Sequence, residues 1–313
     1  FTLIATQENF SIIATTDQTT VDTSSGVVLD GVTLKAPLAS TMLTPATTLM
    51  EEGNLTASQV VQVLGLPNTI DPLTFDAFAD GVDTNQALAV EKASHQIMTV
   101  INAFAAAAEG AGASQADSFE VALNSVVQVL KSRVGSNLTI NLTNTDDLAD
   151  IKTQVTTDVV SVANVDTDAF GAMADDTTTA IMNVNAASNG VTDIGTVFAK
   201  NIFSTAQVLN IQIKNGVAAE VAAVGTGTIN FIEVSAVEAA ATNLAPTDIT
   251  ITLPSLAIIS NPEISEDADS LLVGTLGAVD EDQAAGVAHS YAIVGSSDTD
   301  SVSFSIYALS CVL

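Results

Sequence analysis

Two aspartates near the C-terminal end of the chain have the spacing of a cation site. Asp280 and Asp282 are separated by one residue, so an extended loop would place both carboxylates on the same side. Ca²⁺ takes about six to eight hard oxygen ligands, and carboxylates are prominent among them. The pair indicates a calcium site, although a plain acidic turn has the same spacing. Asp298 and Asp300 repeat the pattern, and we expect them to form a loop between strands.

A second acidic segment, Asp166–Gly171, begins like the loop of an EF-hand. Such a loop needs oxygen ligands at its fifth and twelfth positions, where this chain has Phe170 and Thr177. Because Asp is a preferred residue at the start of a helix, we interpret Asp166 as a helix N-cap.

Residues able to do acid–base or nucleophilic chemistry are few: the chain has two histidines and one cysteine. His95 follows Glu91 by four residues, which we interpret as a side-chain pair on one helix face. His289 has no obvious Ser or Cys partner. The sequence has no hydrolase elbow, phosphate loop, nucleotide fingerprint or zinc-ligand spacing, so we predict that the chain is not an enzyme.

Charge and composition exclude several classes of partner. The 313 residues carry 7 Lys and Arg against 36 Asp and Glu, a net charge of −29. Phosphate binding needs a basic surface, so we predict no nucleic-acid partner. No stretch approaches the ~18 apolar residues of a membrane span. A hydrophobic content of 47% is too high for a disordered acidic tail. Because the chain starts and stops abruptly, we expect a fragment of a longer protein.

Helix signals dominate the middle of the chain, and we predict a helical module over residues 45–226. Thr56 and Gln59 form a capping box, and Gly65 and Pro67 mark the end of that helix. Apolar residues then recur at three- and four-residue steps. This spacing predicts helices at about 85–108, from 114, after 145, at about 169–184 and at about 196–213. Together they indicate a bundle of small-residue helices.

Both ends of the chain have β-type patterns. Residues 1–44 contain short β-branched runs, which we interpret as the C-terminal remnant of a β domain. Residues 227–244 read as a β segment and linker. Residues 245–313 contain alternating or β-branched runs near 249–253, 273–276, 291–294 and 302–306, which indicate a β-sandwich.

The C-terminal segment resembles a bacterial cadherin-like repeat over about residues 243–306. The resemblance rests on five short motifs in the family's order: Asn243–Asp248, Ile264–Ala268, Val273–Asp282, Tyr291–Val294 and Phe304–Ile306. It implies a truncated Greek-key β-sandwich. The expected fold class is therefore multidomain α plus β, with a central helical bundle, this sandwich, and a short β remnant at the N-terminus.

Calcium lies between successive repeats in that family. The resemblance implies that Glu266 is an early acidic ligand, that Asp280 and Asp282 form the paired acidic loop, and that Asn243 and Asp248 lie at the linker. The site would be incomplete here, because the later ligands of such a repeat would lie beyond the end of this chain.

Residues of about 20–100 resemble a module of very large surface proteins of marine bacteria, on motifs that include Leu34–Pro37, Leu43–Leu49 and Gly65–Pro67. The two resemblances imply an extracellular or cell-surface bacterial protein that adheres through calcium, to its own kind or to other surfaces. Its partners would be surface proteins or glycans and neighbouring repeats. Two alternatives stay open: a helical ligand-binding module, or part of an extracellular enzyme whose catalytic domain is missing.

Overall fold

The computed structural model describes residues 11–222, except 18, 23, 27 and 39, together with 255–258 and 276–279. The chain divides into two compact units. One runs from Ser11 to Pro246 and contains all the helices described below. The other combines Phe1–Phe10 with Thr247–Leu313.

Seven α-helices follow one another in the described part of the first unit. They are α1 (Pro45–Gly53), α2 (Ala57–Val63), α3 (Thr84–Gly110), α4 (Gln115–Gly135), α5 (Thr145–Asp158), α6 (Thr167–Ser188) and α7 (Val197–Ala222), with a 3₁₀ turn at Val159–Ser161. The longest helix, α3, packs against α1, α4, α6 and α7. It is therefore the central element of the bundle.

Local side-chain chemistry sets several helix starts. The capping box of Thr56 and Gln59 is confirmed at the start of α2. Ser114 starts α4 by accepting from the Asp117 N–H at 3.2 Å. The Asp166 carboxylate accepts from the Ala169 N–H at 2.9 Å, which confirms its interpretation as an N-cap. These contacts satisfy N–H groups that have no partner inside the helix.

Helix α1 was not predicted as a separate element. Its N-cap, Thr44, accepts from the Thr47 N–H at 3.2 Å, and the Thr44 N–H donates to the Thr47 hydroxyl at 2.9 Å. Here Thr replaces the Glu or Gln of the usual capping box, so the sequence signal is weaker. Pro45 follows at the first helical position, where its missing N–H costs no hydrogen bond.

Most residues in the second half of α3 are buried. Ala103, Phe104 and Ala108 are fully buried, and burying an aromatic ring of this size contributes about 1.5–3 kcal/mol. Gly110 allows α7 to approach closely, because a Cβ at this position would lie 2.5 Å from the Lys214 carbonyl oxygen. Small residues therefore determine how near α3 and α7 come to each other.

Two short antiparallel strands, β1 (Ile12–Thr15) and β2 (Thr33–Ala36), lie on the helical bundle. The Thr48 hydroxyl of α1 accepts from the Lys35 N–H at 2.9 Å and donates to the Lys35 carbonyl at 3.2 Å. An ion pair joins Lys35 to Glu52. These contacts hold β2 against α1, in the same compact unit as the helices.

The predicted fold class, multidomain α plus β with a C-terminal sandwich, is wrong, because the described residues are mostly helical. Within residues 245–313, the described residues form only β3 (Ser255–Ile258) and β4 (Leu276–Val279), which pair antiparallel with Ser255 opposite Val279. Two four-residue strands are a single hairpin-like sheet, whereas a Greek-key sandwich needs two packed sheets. Alternation predicts a strand with one apolar face but does not specify a second sheet to cover that face, which explains the error.

Most of the strands predicted in this region, including the one at 249–253, lie outside the described residues. β4 begins at the last residue of the predicted strand 273–276, and β3 begins just after the predicted strand 249–253. The predicted strands at 291–294 and 302–306, and the run that starts at Phe1, lie outside the described residues.

A cavity lined by α3 and α7 as the candidate functional site

A cavity of about 550 Å³ lies between α3, which lines it from Val90 to Glu109, the middle of α7, the start of α4 and the segment that leads into β2. Small-molecule sites typically have volumes of about 300–1,000 Å³. Helix α3 contributes a row of side chains at four-residue steps, namely Glu91, His95 and Thr99. Residues with this spacing lie on one face of a helix, so all three reach the same space.

The segment Val28–Gly31 faces α3 across the cavity, and hydrogen bonds from α4 and α7 hold it in place. The Gln115 side chain of α4 donates to the Asp30 carbonyl, and the Gln207 side chain of α7 donates to the Val28 carbonyl, both at 3.4 Å. Gly31 has a φ of +74°, and a Cβ there would lie 2.2 Å from the Gln115 amide nitrogen. Glycine is required because the chain must turn and approach α4 at the same point.

His95 is a neutral, buried imidazole at this cavity. Its side chain is 9% exposed, and its ring centroid lies 4.9 Å from that of Phe203, with the rings tilted by 43°. Burial lowers the pKa of His95 to about 4, against a smaller opposing influence of Asp22. Its Nε2 atom has no hydrogen-bond partner among the described residues. A buried nitrogen of this kind can bind a polar group placed in the cavity.

Glu91 lies one helical turn before His95 and is half-buried. Burial, followed by the nearby charges of Asp22 and Asp76, raises the pKa of Glu91 to about 8. At neutral pH this carboxyl group is therefore mostly protonated. Like charges and loss of water both disfavour the ionised form of an acid.

The interpretation of Glu91 and His95 as an ordinary helical side-chain pair is wrong. Their spacing is as predicted, but in the part of the chain that the structure describes no hydrogen bond or ion pair joins them. An ion pair would lower the pKa of the acid and raise that of the imidazole, and both shifts run in the opposite direction. Two titratable groups shifted in this way beside one cavity are typical of a functional site.

Two further carboxylates at the cavity are held by their own loops. Asp22 accepts hydrogen bonds from the hydroxyls of Ser24 and Ser25, the former at 2.7 Å. Asp76 accepts from the Phe78 N–H at 2.8 Å. Such short-range bonds orient Asp side chains in turns. They place fixed negative groups opposite α3.

Unpaired polar atoms are concentrated around this cavity. Six buried side-chain atoms in the described part of the chain have no hydrogen-bond partner, and three of them belong to cavity residues: His95 Nε2, Thr99 Oγ1 and Asn210 Oδ1. Leaving a buried polar atom unpaired costs about 1–3 kcal/mol. All three residues line the same cavity, so a water molecule or ligand inside it lies next to side chains that lack a hydrogen-bond partner.

The basic residues lie away from the cavity. The seven Lys and Arg side chains all fall in the described ranges, and none of them lines the cavity. Four of them form ion pairs: Lys35 with Glu52, Arg133 with Asp147 and Asp150, Lys152 with Asp175, and Lys214 with Glu109. Glu109 lies at the edge of the cavity, and its pairing with Lys214 at 2.6 Å neutralises it.

The predicted calcium ligands cannot be placed. Asn243, Asp248, Glu266, Asp280 and Asp282 all lie outside the described residues, as do His289, Asp298 and Asp300. Calcium binding therefore stays a prediction. In the described ranges there is no group of three or more His, Cys, Asp or Glu side chains that could hold a metal ion.

Sequence reasoning missed most of the cavity. Asp22, Asp76 and Phe203 come from three segments that are far apart in the chain, and no motif connects them. One signal was present in α3: Glu91, His95 and Thr99 recur every four residues along a helix that is otherwise rich in Ala and Val. Polar residues at this spacing mark a face that is not packed into a core.

The chain was also compared with known proteins. Models of protein families, curated proteins and solved structures all give no match. The resemblance to cadherin-like repeats therefore stays a prediction from the motifs. Among the helices of the described residues, none combines the length and apolar character needed to cross a membrane.

Proposed function

We propose that the helical unit is a ligand-binding module and that the cavity between α3 and α7 is its site. The observation that carries this proposal is the set of buried polar atoms around one space, at His95, Thr99 and Asn210, that have no partner among the described residues. A bound small molecule would complete these hydrogen bonds and bury its apolar part against the neighbouring side chains. This function was one of the alternatives left open by the sequence.

The proposal includes an extracellular or cell-surface location. Support comes from the resemblance of residues 20–100 to a module of bacterial surface proteins. The acidic balance of 36 Asp and Glu against 7 Lys and Arg, and the single cysteine, are compatible with it. Protease treatment of intact producing cells, followed by mass spectrometry, tests the location. Recovery of peptides from 45–222 only after lysis would contradict it.

Methionine NMR tests the binding proposal on the intact chain. Met42 and Met98 line the cavity, whereas Met173 and Met182 belong to α6 and do not. With ¹³C-methyl methionine, a ligand in the cavity shifts the Met42 and Met98 signals and leaves those of Met50, Met173 and Met182 unchanged. A panel of small amines, alcohols and carboxylic acids serves as probes. Failure of every compound to shift Met42 or Met98 selectively contradicts the proposal.

A blocking variant provides the control. Ala206→Phe fills the cavity from α7, because Ala206 lines it and is only half-buried. Ala186→Phe adds the same ring to an exposed position of α6 outside the cavity. The first variant is expected to abolish the selective shifts, and the second to leave them unchanged.

Calcium-dependent adhesion is a second candidate function, carried by the C-terminal region. It is favoured by the position of Asp280 and Asp282, which directly follow β4 in the sequence. Strand ends are common places for ligand-binding residues. Its partners would be surface proteins or glycans. No sandwich fold is required for this proposal.

Thermal unfolding of the full chain with and without Ca²⁺ tests the second candidate. A ligand that binds only the folded state raises the melting temperature, so calcium should raise it for the wild type. The double variant Asp280→Asn/Asp282→Asn should lose this increase. An equal increase in both proteins, or no increase in the wild type, contradicts the site.

A further inference from the structure

We infer that the cavity between α3 and α7 selects an organic cation, namely a primary ammonium group carried on an apolar body. This inference rests on the proposed binding function and specifies its ligand. It follows from three properties of the cavity wall: its charge, its unpaired acceptors and its apolar part.

The charged residues that line the cavity are all acidic. Five acidic residues line the cavity: Asp22, Asp30, Asp76, Glu91 and Glu109. Within the described part of the chain, only Glu109 has a basic partner, Lys214. A concave surface lined by charges of one sign concentrates ligands of the opposite sign. An anionic ligand would meet carboxyl groups and find no cationic side chain among the described residues of the wall.

The unpaired atoms suit a group that donates several hydrogen bonds. Asn210 Oδ1 and Thr99 Oγ1 can accept, and His95 Nε2 can accept in one of its two neutral forms. An ammonium group has three N–H donors and no acceptor, so it can satisfy several of these atoms together. An alcohol has one donor and leaves most of them unpaired.

The rest of the wall is apolar and aromatic. Phe75, Phe119 and Phe203 line the cavity together with Met42 and Met98. Aromatic faces attract cations, most strongly where water is excluded. They also bury the hydrocarbon part of an amine. A hydrated metal ion would gain little from such a wall, since Ca²⁺ and Mg²⁺ require a shell of oxygen ligands.

Glu91 on α3 links ligand binding to the release of a proton. Glu91 is surrounded by Asp22, Asp30 and Asp76 from the facing loops, by His95 on its own helix and, further along, by the Glu109–Lys214 pair. With a pKa of about 8, it holds a proton at pH 7 before a ligand binds. A bound ammonium group favours the ionised carboxylate, so binding should release a proton.

Three probes that share a 2-phenylethyl group test the inference on the full chain: 2-phenylethylamine, 2-phenylethanol and 3-phenylpropanoate. Calorimetry measures affinity, and the Met42 and Met98 methyl signals verify the location. The amine is expected to bind at least about ten-fold more tightly than the alcohol, a difference of the size that a desolvated cation–aromatic contact supplies. The propanoate is expected to bind most weakly.

A matched pair of variants tests the role of Glu91 in amine binding. Glu91→Gln preserves shape and should reduce amine affinity several-fold while leaving the alcohol unaffected. Glu120→Gln makes the same change at an exposed position of α4 and should change neither. Calorimetry in buffers of different ionisation enthalpy should show proton release on amine binding at pH 7, and this release should vanish in Glu91→Gln.

The outcomes separate this inference from the binding function. If the alcohol or the propanoate binds as tightly as the amine and shifts Met42 and Met98, the cavity binds ligands but does not select cations, and the inference is overturned. It is also overturned if the amine binds without shifting those signals. The binding function itself fails only if no compound of the wider panel reaches the cavity.

Discussion

The first half of α3, Thr84–Thr99, and its second half, Val100–Gly110, belong to one uninterrupted helix but meet different surroundings. The second half packs against the regular, small-residue surfaces of α4 and α7, where Gly110 allows a close approach to the Lys214 carbonyl. The first half faces irregular segments around Asp22 and Asp76. The cavity continues past part of the second half, as far as Glu109, but the polar row of α3 borders it from the first half.

The largest expected difference between the packed half of α3 and the surroundings of the cavity concerns stability. Phe104→Ala removes a fully buried ring from the packed half and should lower the free energy of unfolding by about 3–5 kcal/mol. Phe78→Ala removes a ring that is 42% exposed beside the cavity and should cost less than about 1 kcal/mol. Denaturant titration measures both. Equal losses would show that the two regions are packed alike.

Gly110 tests the close approach of α3 and α7. Gly110→Ala should destabilise the protein by about 1–3 kcal/mol in denaturant titration, because the new methyl group must displace the backbone of α7. Gly171→Ala is the control, since Gly171 lies within α6 and, apart from its own stretch of helix, no atom of the described residues comes within 4 Å of the position that its Cβ would occupy. It should stabilise the protein by up to about 1 kcal/mol. Stabilisation by both substitutions would contradict the close contact.

Substitution of Thr99 distinguishes an effect on the stability of the protein from an effect on ligand binding. Thr99→Val replaces a buried hydroxyl that has no partner among the described residues with a methyl group. It should raise the free energy of unfolding by about 1 kcal/mol, while weakening ligand binding. Thr177→Val makes the same change at an equally buried hydroxyl of α6 away from the cavity. It should stabilise similarly and leave the Met42 and Met98 shifts unchanged. Loss of binding in both variants would remove Thr99 from the site.

The smallest expected effect is on the pH dependence of stability. The folded-state pKa of Glu91, about 8, lies above its ordinary value of 4.5, so its contribution to stability is present at low pH and lost as the pH rises towards 8. The folded-state pKa of His95, about 4, lies below its ordinary value of 6.5, so its contribution is lost as the pH falls from about 6.5 to 4.

The two contributions therefore have opposite slopes between about pH 4.5 and 6.5, and only that of Glu91 remains above this range. We expect the melting temperature of wild type to fall from about pH 6.5 to 8 more steeply than that of Glu91→Gln. Glu120→Gln should follow the wild type. Parallel curves for wild type and Glu91→Gln would contradict the shift of Glu91.

Helix starts were predictable because their causes are local. Thr56 with Gln59, Ser114 and Asp166 each bond to backbone within three residues, so the sequence alone contains the whole interaction. The fold of the C-terminal segment was not predictable in this way. The alternating pattern near 249–253 specifies a strand with an apolar face, but the partner of that face is a tertiary property.

The same distinction applies to the candidate site. The row of Glu91, His95 and Thr99 follows from the helical repeat and was readable in the sequence. Their protonation states were not, because these depend on burial and on Asp22 and Asp76, which reach α3 only after the chain has folded.

By itself, the sequence determined where most of the helices begin, which face of α3 carries its polar row, and that the protein is strongly acidic, since each of these depends on residue type and short-range spacing. Only the tertiary structure decided that the polar face borders a cavity, that Phe203 lies against His95, and that the basic residues lie elsewhere. The physical reason is that volume and electrostatic environment are produced by segments distant in sequence, so no local pattern records them.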